Sequence, residues 1–199
     1  MSRHTITELL EEYVYTHQET HISVDELVSS IGDRGHGLLL LMLALPNVLL
    51  LASLPGISTF FGIPICFIAI QLIIHRSHPW LPPRIRYSQI QRETLLNILR
   101  KAAPYLLKIE RYIKPRWMFM TQKSMEQVLG IFILVLGIII ALPIPFGNFF
   151  GGLGVVFLSL ALIEKDGIFA AVGMALTMII SFVIFKIAGS LIGFFYNFF

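Results

Sequence analysis

Polar and apolar positions alternate along this chain by whole segments rather than by single residues. No Asp, Glu, Lys or Arg occurs within residues 35–75, 127–163, 167–185 or 187–199. A bilayer-crossing helix needs about 20 predominantly apolar residues, so the first two stretches, of 41 and 37 residues, are each close to two passes long. The pattern predicts two hydrophobic hairpins, at 34–76 and 127–166, followed by C-terminal membrane segment(s) over 167–199. Within the last, 168–185 reads as one span. The 13-residue tail after Lys186 is too short to cross alone, unless one long tilted helix carries Lys186 on a protein-facing side.

The remaining segments carry a helical period. Residues 1–33 read as cytoplasmic and contain two short amphipathic helices, one apolar at Leu9, Leu10, Tyr13 and Val14, the other at Val24, Leu27, Val28 and Ile31. Thr5 with Glu8, and Ser23 with Glu26, fit capping boxes, in which hydroxyl and carboxylate satisfy the first free N–H groups of a helix. Gly32 stops the second helix. The plain role for this segment is a cap on the membrane domain; a separate binding module is the alternative. In residues 77–126, Leu95, Leu99, Leu106, Ile109 and Ile113 can share one side while Arg100, Lys101, Lys108, Arg111 and Lys114 snorkel. That is a basic amphipathic helix for the headgroup layer, with Trp80 and Trp117 near its ends. The fold predicted is an all-α polytopic membrane protein: two Pro/Gly-broken hairpins joined by this helix, plus a C-terminal span.

Composition agrees. Charged residues make up 14% and apolar ones 56%, against ~25% charged in soluble domains, too little polar surface to cover a globule. A net charge of +3 hides a separation of sign. Residues 75–126 carry eleven Lys/Arg against three acids, whereas residues 1–34 carry seven acids against Arg3 and Arg34. By the positive-inside rule the central segment is cytoplasmic. With the N-terminus on the same side, each hairpin must leave and return, either by crossing twice or as a re-entrant loop. The acidic N-terminus does not fit a cleavable signal peptide, and the single cysteine, Cys66, allows no intramolecular disulfide.

Each hairpin is interrupted where a helix should run on. The stretch "ALPIPFGNFFGG" at 141–152 places prolines, glycines and an asparagine deep in apolar sequence. A shift of 90 residues lays 54–74 on 144–164 without a gap, matching Pro55 with Pro145, Phe60 with Phe150, Gly62 with Gly152 and Phe67 with Phe157. With a gap, Ala44-Leu45-Pro46 also matches Ala141-Leu142-Pro143. This predicts an internal repeat, whose interface is where broken helices of membrane transporters form their sites. A break is either a turn at the far surface or a re-entrant tip, where freed carbonyls are satisfied by protein or a wet cavity.

Ionisable groups at membrane depth are costly and face a pathway or a partner. Arg34 stands at the mouth of the first apolar run, Arg76 closes the first hairpin with His75 and His78, and Glu164 and Asp166 close the second with Lys165. Gln71 lies one turn before His75, and Asn47 and Asn148 each sit beside a break. Each has a plain structural role to set against a functional one: headgroup anchor, interfacial ion pair or helix cap. No Walker loop, zinc spacing or nucleophile elbow is present. The expectations are therefore no metal, no cofactor, no catalytic residue and no nucleic-acid partner.

The order of the stretches "RGHGLLLLMLALPNVL", "PGISTFFGIPICFIAIQLIIHRSHPWLP", "IERYIKPRW", "ALPIPFGNF" and "LIEKDG" resembles the ExoD family of bacterial membrane proteins, over roughly Leu27 to Ile184. The resemblance implies a bacterial inner-membrane location and a link to exopolysaccharide synthesis, but hands over no reaction. The paired broken hairpins are also similar in layout to DedA-type lipid-carrier translocases, a fold-level analogy only. The function expected is a small transporter or translocase of an anionic, lipid-linked substrate. Arg111 and Arg116 would contact the phosphate headgroup, Arg34 and Arg76 would guide it, and the breaks at Asn47 and Asn148 would form the path, with Gln71 a further candidate binding or transport residue. Glu164 or Asp166 would couple movement to protons. The alternative is a non-transporting assembly or regulatory factor for a polysaccharide-synthesis complex; a membrane enzyme acting on lipid phosphate ranks third. Partners expected are membrane lipids, polysaccharide-synthesis proteins and a second copy of the chain.

Overall fold

In hydrocarbon a backbone has no water to bond, so long apolar runs fold as helices that satisfy their own N–H and C=O groups. The computed structural model of this chain describes residues 20–23, 32–49, 57–93, 117–142 and 147–198, together with Thr16, Glu26 and Leu96. Within them run α1 (Gly35–Leu49), α2 (Ile57–Ile73), α3 (Lys123–Ala141), α4 (Gly147–Glu164) and α5 (Gly167–Phe198). Helices α3 and α4, and Gly167–Ile187 of α5, are long and apolar enough to cross a membrane, while α1 and α2 are shorter. The protein is a helical membrane protein.

The most extensive pairs form across the two hairpins, α1 against α4 and α2 against α3; α5 packs on α4, and α3 with α4 and α1 with α2 also touch within their own hairpins. Both cross-hairpin pairs are antiparallel. Gly37, early in α1, meets Leu162 and Ile163, late in α4, while Asn47 and Val48 meet Gly152. Gly130, early in α3, meets Leu72 and Ile73, late in α2, while Ala141 meets Gly62. Two ends result. The starts of α1 and α3 gather with the ends of α2 and α4 at one end of the bundle, and the ends of α1 and α3 with the starts of α2 and α4 at the other. The core between them is Leu40, Ile65, Leu129, Ile133, Leu136, Ile140 and Leu158, all fully buried. Phe60, Ile63, Ile131, Ile179, Phe182 and Phe185 point outward, as lipid-facing side chains do.

The seams are closed to the backbone. A methyl group on Gly37 would stand 2.8 Å from Ile163 Cγ1 and 3.1 Å from the Ser159 carbonyl oxygen; one on Gly130 would stand 3.0 Å from Ile73 Cγ1 and 3.1 Å from the Ala69 oxygen. Gly62 is tighter still, its missing methyl 2.6 Å from the amide nitrogen of Ala141. Beside it Thr59 Oγ1 donates to the Ala141 carbonyl at 2.8 Å, satisfying an acceptor at the open end of α3.

The ends of α2 and α4 share one geometry. His75 (φ 59) and Lys165 (φ 53) are left-handed, and the next N–H in each case folds back onto the helix. Arg76 N–H donates to Gln71 O at 3.0 Å, and Asp166 N–H to Ala161 O at 3.3 Å. These are Schellman closures, which satisfy the last free carbonyls. Asp166 then opens the next helix, its Oδ1 accepting from Ile168 N–H at 2.8 Å as the N-cap of α5.

Three features depart from the sequence reading. A two-stranded antiparallel ladder joins β1 (His21–Ser23) to β2 (Gln89–Gln91), with Ile22 opposite Ile90, so the chain is not wholly α. Ile22 is buried beneath it. Second, α5 is one continuous helix through Lys186, but Lys186 is exposed and not protein-facing. The buried positions of α5, Ala170, Gly173, Thr177 and Ile180, form a stripe from which residue 186 is rotated away, and its ammonium lies 5.6 Å from the Phe182 ring. Third, Pro46, where the sequence reading puts a break, sits inside α1, as Pro64 sits inside α2. The Ser23–Glu26 capping box is present, Glu26 N–H donating to Ser23 Oγ (3.2 Å) and Ser23 N–H to Glu26 Oε2 (3.1 Å). The Thr5–Glu8 box and the body of the basic helix lie outside the described residues.

Gly62→Ala forces backbone against backbone and is expected to lower the thermal midpoint in detergent by several degrees. Gly193→Ala, with nothing within 4 Å, should leave it unchanged or slightly raised. Asp166→Ala should cost about 1 kcal/mol through loss of the cap, whereas Asp166→Asn, which keeps an acceptor oxygen, should cost little. Thermal unfolding of the two variants side by side checks this.

Candidate functional site

Pairing across hairpins decides which polar groups meet. Arg34, Gln71, Arg76, Glu164 and Asp166 all lie at the end of the bundle where α1 and α3 begin. Asn47 and Asn148 lie at the opposite end, in the last turn of α1 and the first turn of α4. Arg111 and Arg116 fall outside the described residues.

At the first end, two of the expected residues have structural work. Gln71 is buried, and its side-chain amide makes both hydrogen bonds of a bracket: Nε2 donates to Trp80 O at 3.1 Å, and Oε1 accepts from Trp80 N–H. This pins the segment after α2 back onto the helix, where the Trp80 ring packs 5.5 Å from that of Phe67. Asp166 is 2% exposed and caps α5. Glu164 and Arg34 are half-buried, and Arg76 is exposed. Gln127 closes the same end, its Nε2 donating to Ile73 O at 2.8 Å.

Between α1, α2 and α3 at this end is a cavity of about 30 Å³ lined by His36, Leu72, His75, Arg76, Ser77, Lys123 and Glu126. His36 is 3% exposed and reaches it from the first turn of α1. His75 owes its place to the left-handed closure of α2. Lys123 and Glu126 come from the first turn of α3. Of this group only Arg76 is singled out as a site residue by the sequence. His75 is marked beside it as closing the first hairpin, and His36 could have been marked as a polar residue at the border of an apolar run. Nothing in the sequence brings Lys123 and Glu126 to them, because the α2–α3 pairing spans the whole basic segment.

At the other end, Asn47 is fully buried. Its Nδ2 donates to Leu43 O at 3.0 Å, one turn back along α1, while no described residue donates to its Oδ1. Gly152 leaves room for it, since a methyl group there would lie 3.1 Å from Asn47 Cβ. Asn148, 7% exposed, is one helical turn before Gly152 and so on the same face of α4. The two asparagines of the two hairpins thus approach one seam. Among the described residues no group of three His, Cys, Asp or Glu side chains is placed to hold a metal ion.

Comparison with known proteins bears on this arrangement. No solved structure matches the chain. A protein of Synechocystis described as uncharacterized is 28% identical over 160 residues, covering 80% of this chain and 75% of its own length. The protein ExoD of Rhizobium meliloti is 35% identical over 176 residues, covering 86% of this chain and 72% of its own length. The family model described as exopolysaccharide synthesis, ExoD, matches residues 6–186. The chain, with both broken hairpins and both polar ends inside the matched region, belongs to the ExoD family.

Proposed function

We propose that this protein is a small inner-membrane translocase for an anionic, lipid-linked intermediate of exopolysaccharide or envelope synthesis. The observation that carries the reading is Asn47 Oδ1, a fully buried amide oxygen to which no described residue donates, in the last turn of α1 of an apolar bundle. An acceptor without a donor at such depth costs roughly 1–3 kcal/mol, and membrane proteins retain such groups where a path or a ligand supplies the donor. Water or the hydroxyls of a sugar are donors of the right kind. Asn148 adds a second amide on the facing helix.

The symmetry of the contacts supports two repeated units. Gly37 meets Ser159, Leu162 and Ile163, and Gly130 meets Ala69, Leu72 and Ile73: the partners of the second are the partners of the first, 90 residues earlier. The closures at His75 and Lys165 differ by the same 90. The seam glycines differ by 93, so in this register Ala44-Leu45-Pro46 answers to residues 137–139, and the two Ala-Leu-Pro triplets are not counterparts. Since α1 runs with α3 and α2 with α4, the units are parallel, related by an axis along the membrane normal. The basic 75–126 segment leaves from the same end at which the N-terminal ladder attaches. The positive-inside rule then makes that end cytoplasmic.

The test is movement of a polyprenyl-phosphate-linked sugar between leaflets of liposomes containing the full-length protein. Asn47→Leu is expected to lower the rate at least tenfold with thermal stability equal to or above that of the parent. Movement unchanged in this variant rejects the path, and no movement by folded parent protein favours the assembly-factor reading.

A further inference from the structure

The cavity at the basic end is unlike the asparagine seam, and its chemistry calls for a different ligand. Arg76 and Lys123 against Glu126 leave its wall one net positive charge before either histidine takes a proton. The wall also holds the Ser77 hydroxyl and the imidazoles of His36 and His75. Two helices begin there. Gly35 and Lys123 open α1 and α3, and Gln122, the residue before α3, makes no side-chain cap. The positive ends of two helix dipoles therefore lie beside the same small space, that of α1 after a 3-10 turn at Gly32–Arg34. The negative end of α2 is also present, but its closing carbonyls at Gln71 and Leu72 are occupied by Arg76 and His75 N–H groups. A metal cation does not suit this wall, because His36, His75 and Glu126 are not gathered as ligands. At about 30 Å³ the enclosed part of the cavity takes one or two oxygens of a larger group and no sugar ring, and the exposed His75, Arg76, Ser77 and Lys123 leave its mouth open for the rest of that group.

We propose that this cavity binds a phosphoryl group, with Arg76 and Lys123 as its charged contacts, Ser77 and the two histidines as further donors, and Glu126 as the negative boundary. Its position strengthens the assignment. His36 belongs to the α1–α4 pair, and the other lining residues belong to the α2–α3 pair and the turn that follows α2. A phosphoryl group held here bridges the two halves of the bundle, so its arrival and departure alter the free energy of any motion between them. The proposal deepens the translocase reading, on which its role in transport rests. The binding itself stands apart and is measured apart.

The full-length protein is placed in nanodiscs of zwitterionic lipid and titrated at equilibrium with two probes, inorganic phosphate and a short-chain isoprenyl phosphate, with binding followed by ³¹P NMR. Saturable binding is expected, weakened at least tenfold in the R76Q/K123Q double variant and within twofold of the parent in K186Q, at the far side of the bundle. Tighter binding of the isoprenyl phosphate assigns the site to a lipid headgroup, and equal binding assigns it to free phosphate; either upholds the phosphoryl site. Should the double variant unfold, R76Q and K123Q singly carry the test, each expected to weaken binding at least threefold. Absence of saturable binding by both probes, or charge variants that bind as the parent does, overturns the proposal whatever the flux assay shows.

Discussion

Helices in lipid gain no hydrophobic energy by meeting one another, because the tails they leave are as apolar as the neighbours they join. What holds them is close approach, and close approach needs residues without bulk. This chain meets the requirement at its seams with glycine: Gly37 and Gly152 between α1 and α4, Gly62, Gly130 and Gly137 between α2 and α3, and Gly151 and Gly154 between α3 and α4. Everything else about the bundle follows from that choice of seams. Because the α1–α4 and α2–α3 seams join helices of different hairpins, neither hairpin is a self-contained unit. The starts of α1 and α3 are thereby brought to the end of α2, and the polar residues there become a cluster.

Much of the helical frame was legible because charge is excluded so consistently. The uncharged runs mark α1 to α4 closely, and Ser23 with Glu26 announced a capping box that is present. The seams were partly legible too, since Gly62 and Gly152 already aligned at the 90-residue shift. Contacts between distant segments were not. Nothing in "HIS" or "QIQ" marks a ladder, because three residues carry too little alternation to announce a strand. Gln71 looked like a candidate ligand, yet its amide is consumed by the backbone of Trp80, a local bracket no spacing rule describes. Asp166 likewise is first a cap. In both cases the sequence shows that a polar group is needed, and only geometry shows which neighbour needs it.

The two ends of the bundle differ in kind as well as in place. One presents cations, imidazoles and helix starts to a small cavity; the other presents two amides and the broken ends of helices. A matched pair of hairpins would by itself produce matched chemistry at corresponding positions. At the ends of α2 and α4 the closure geometry is shared, but Arg76 stands at one where Asp166 stands at the other, so the charge there is opposite. Shared backbone with divergent side chains lets one unit serve as an anchor for α5 while the other borders an open site.

The length of α5 sets a condition on the bilayer around it. Its 32 residues extend for about 48 Å at 1.5 Å per residue, against a hydrocarbon slab of about 30 Å. Lying wholly within that slab would take a tilt near 50°, beyond the roughly 0–40° that such helices adopt. The packed stripe from Ala170 to Ile180 ties the first half of the helix to its neighbours, so the excess has to be absorbed after it. With Lys186 about 28 Å from Gly167, a helix standing near the membrane normal brings that ammonium to the opposite headgroup layer. The final apolar turns then project into a zone that bulk lipid tails do not fill. At that far side of its membrane, this protein carries a greasy post whose cover must come from thickened lipid or from other protein.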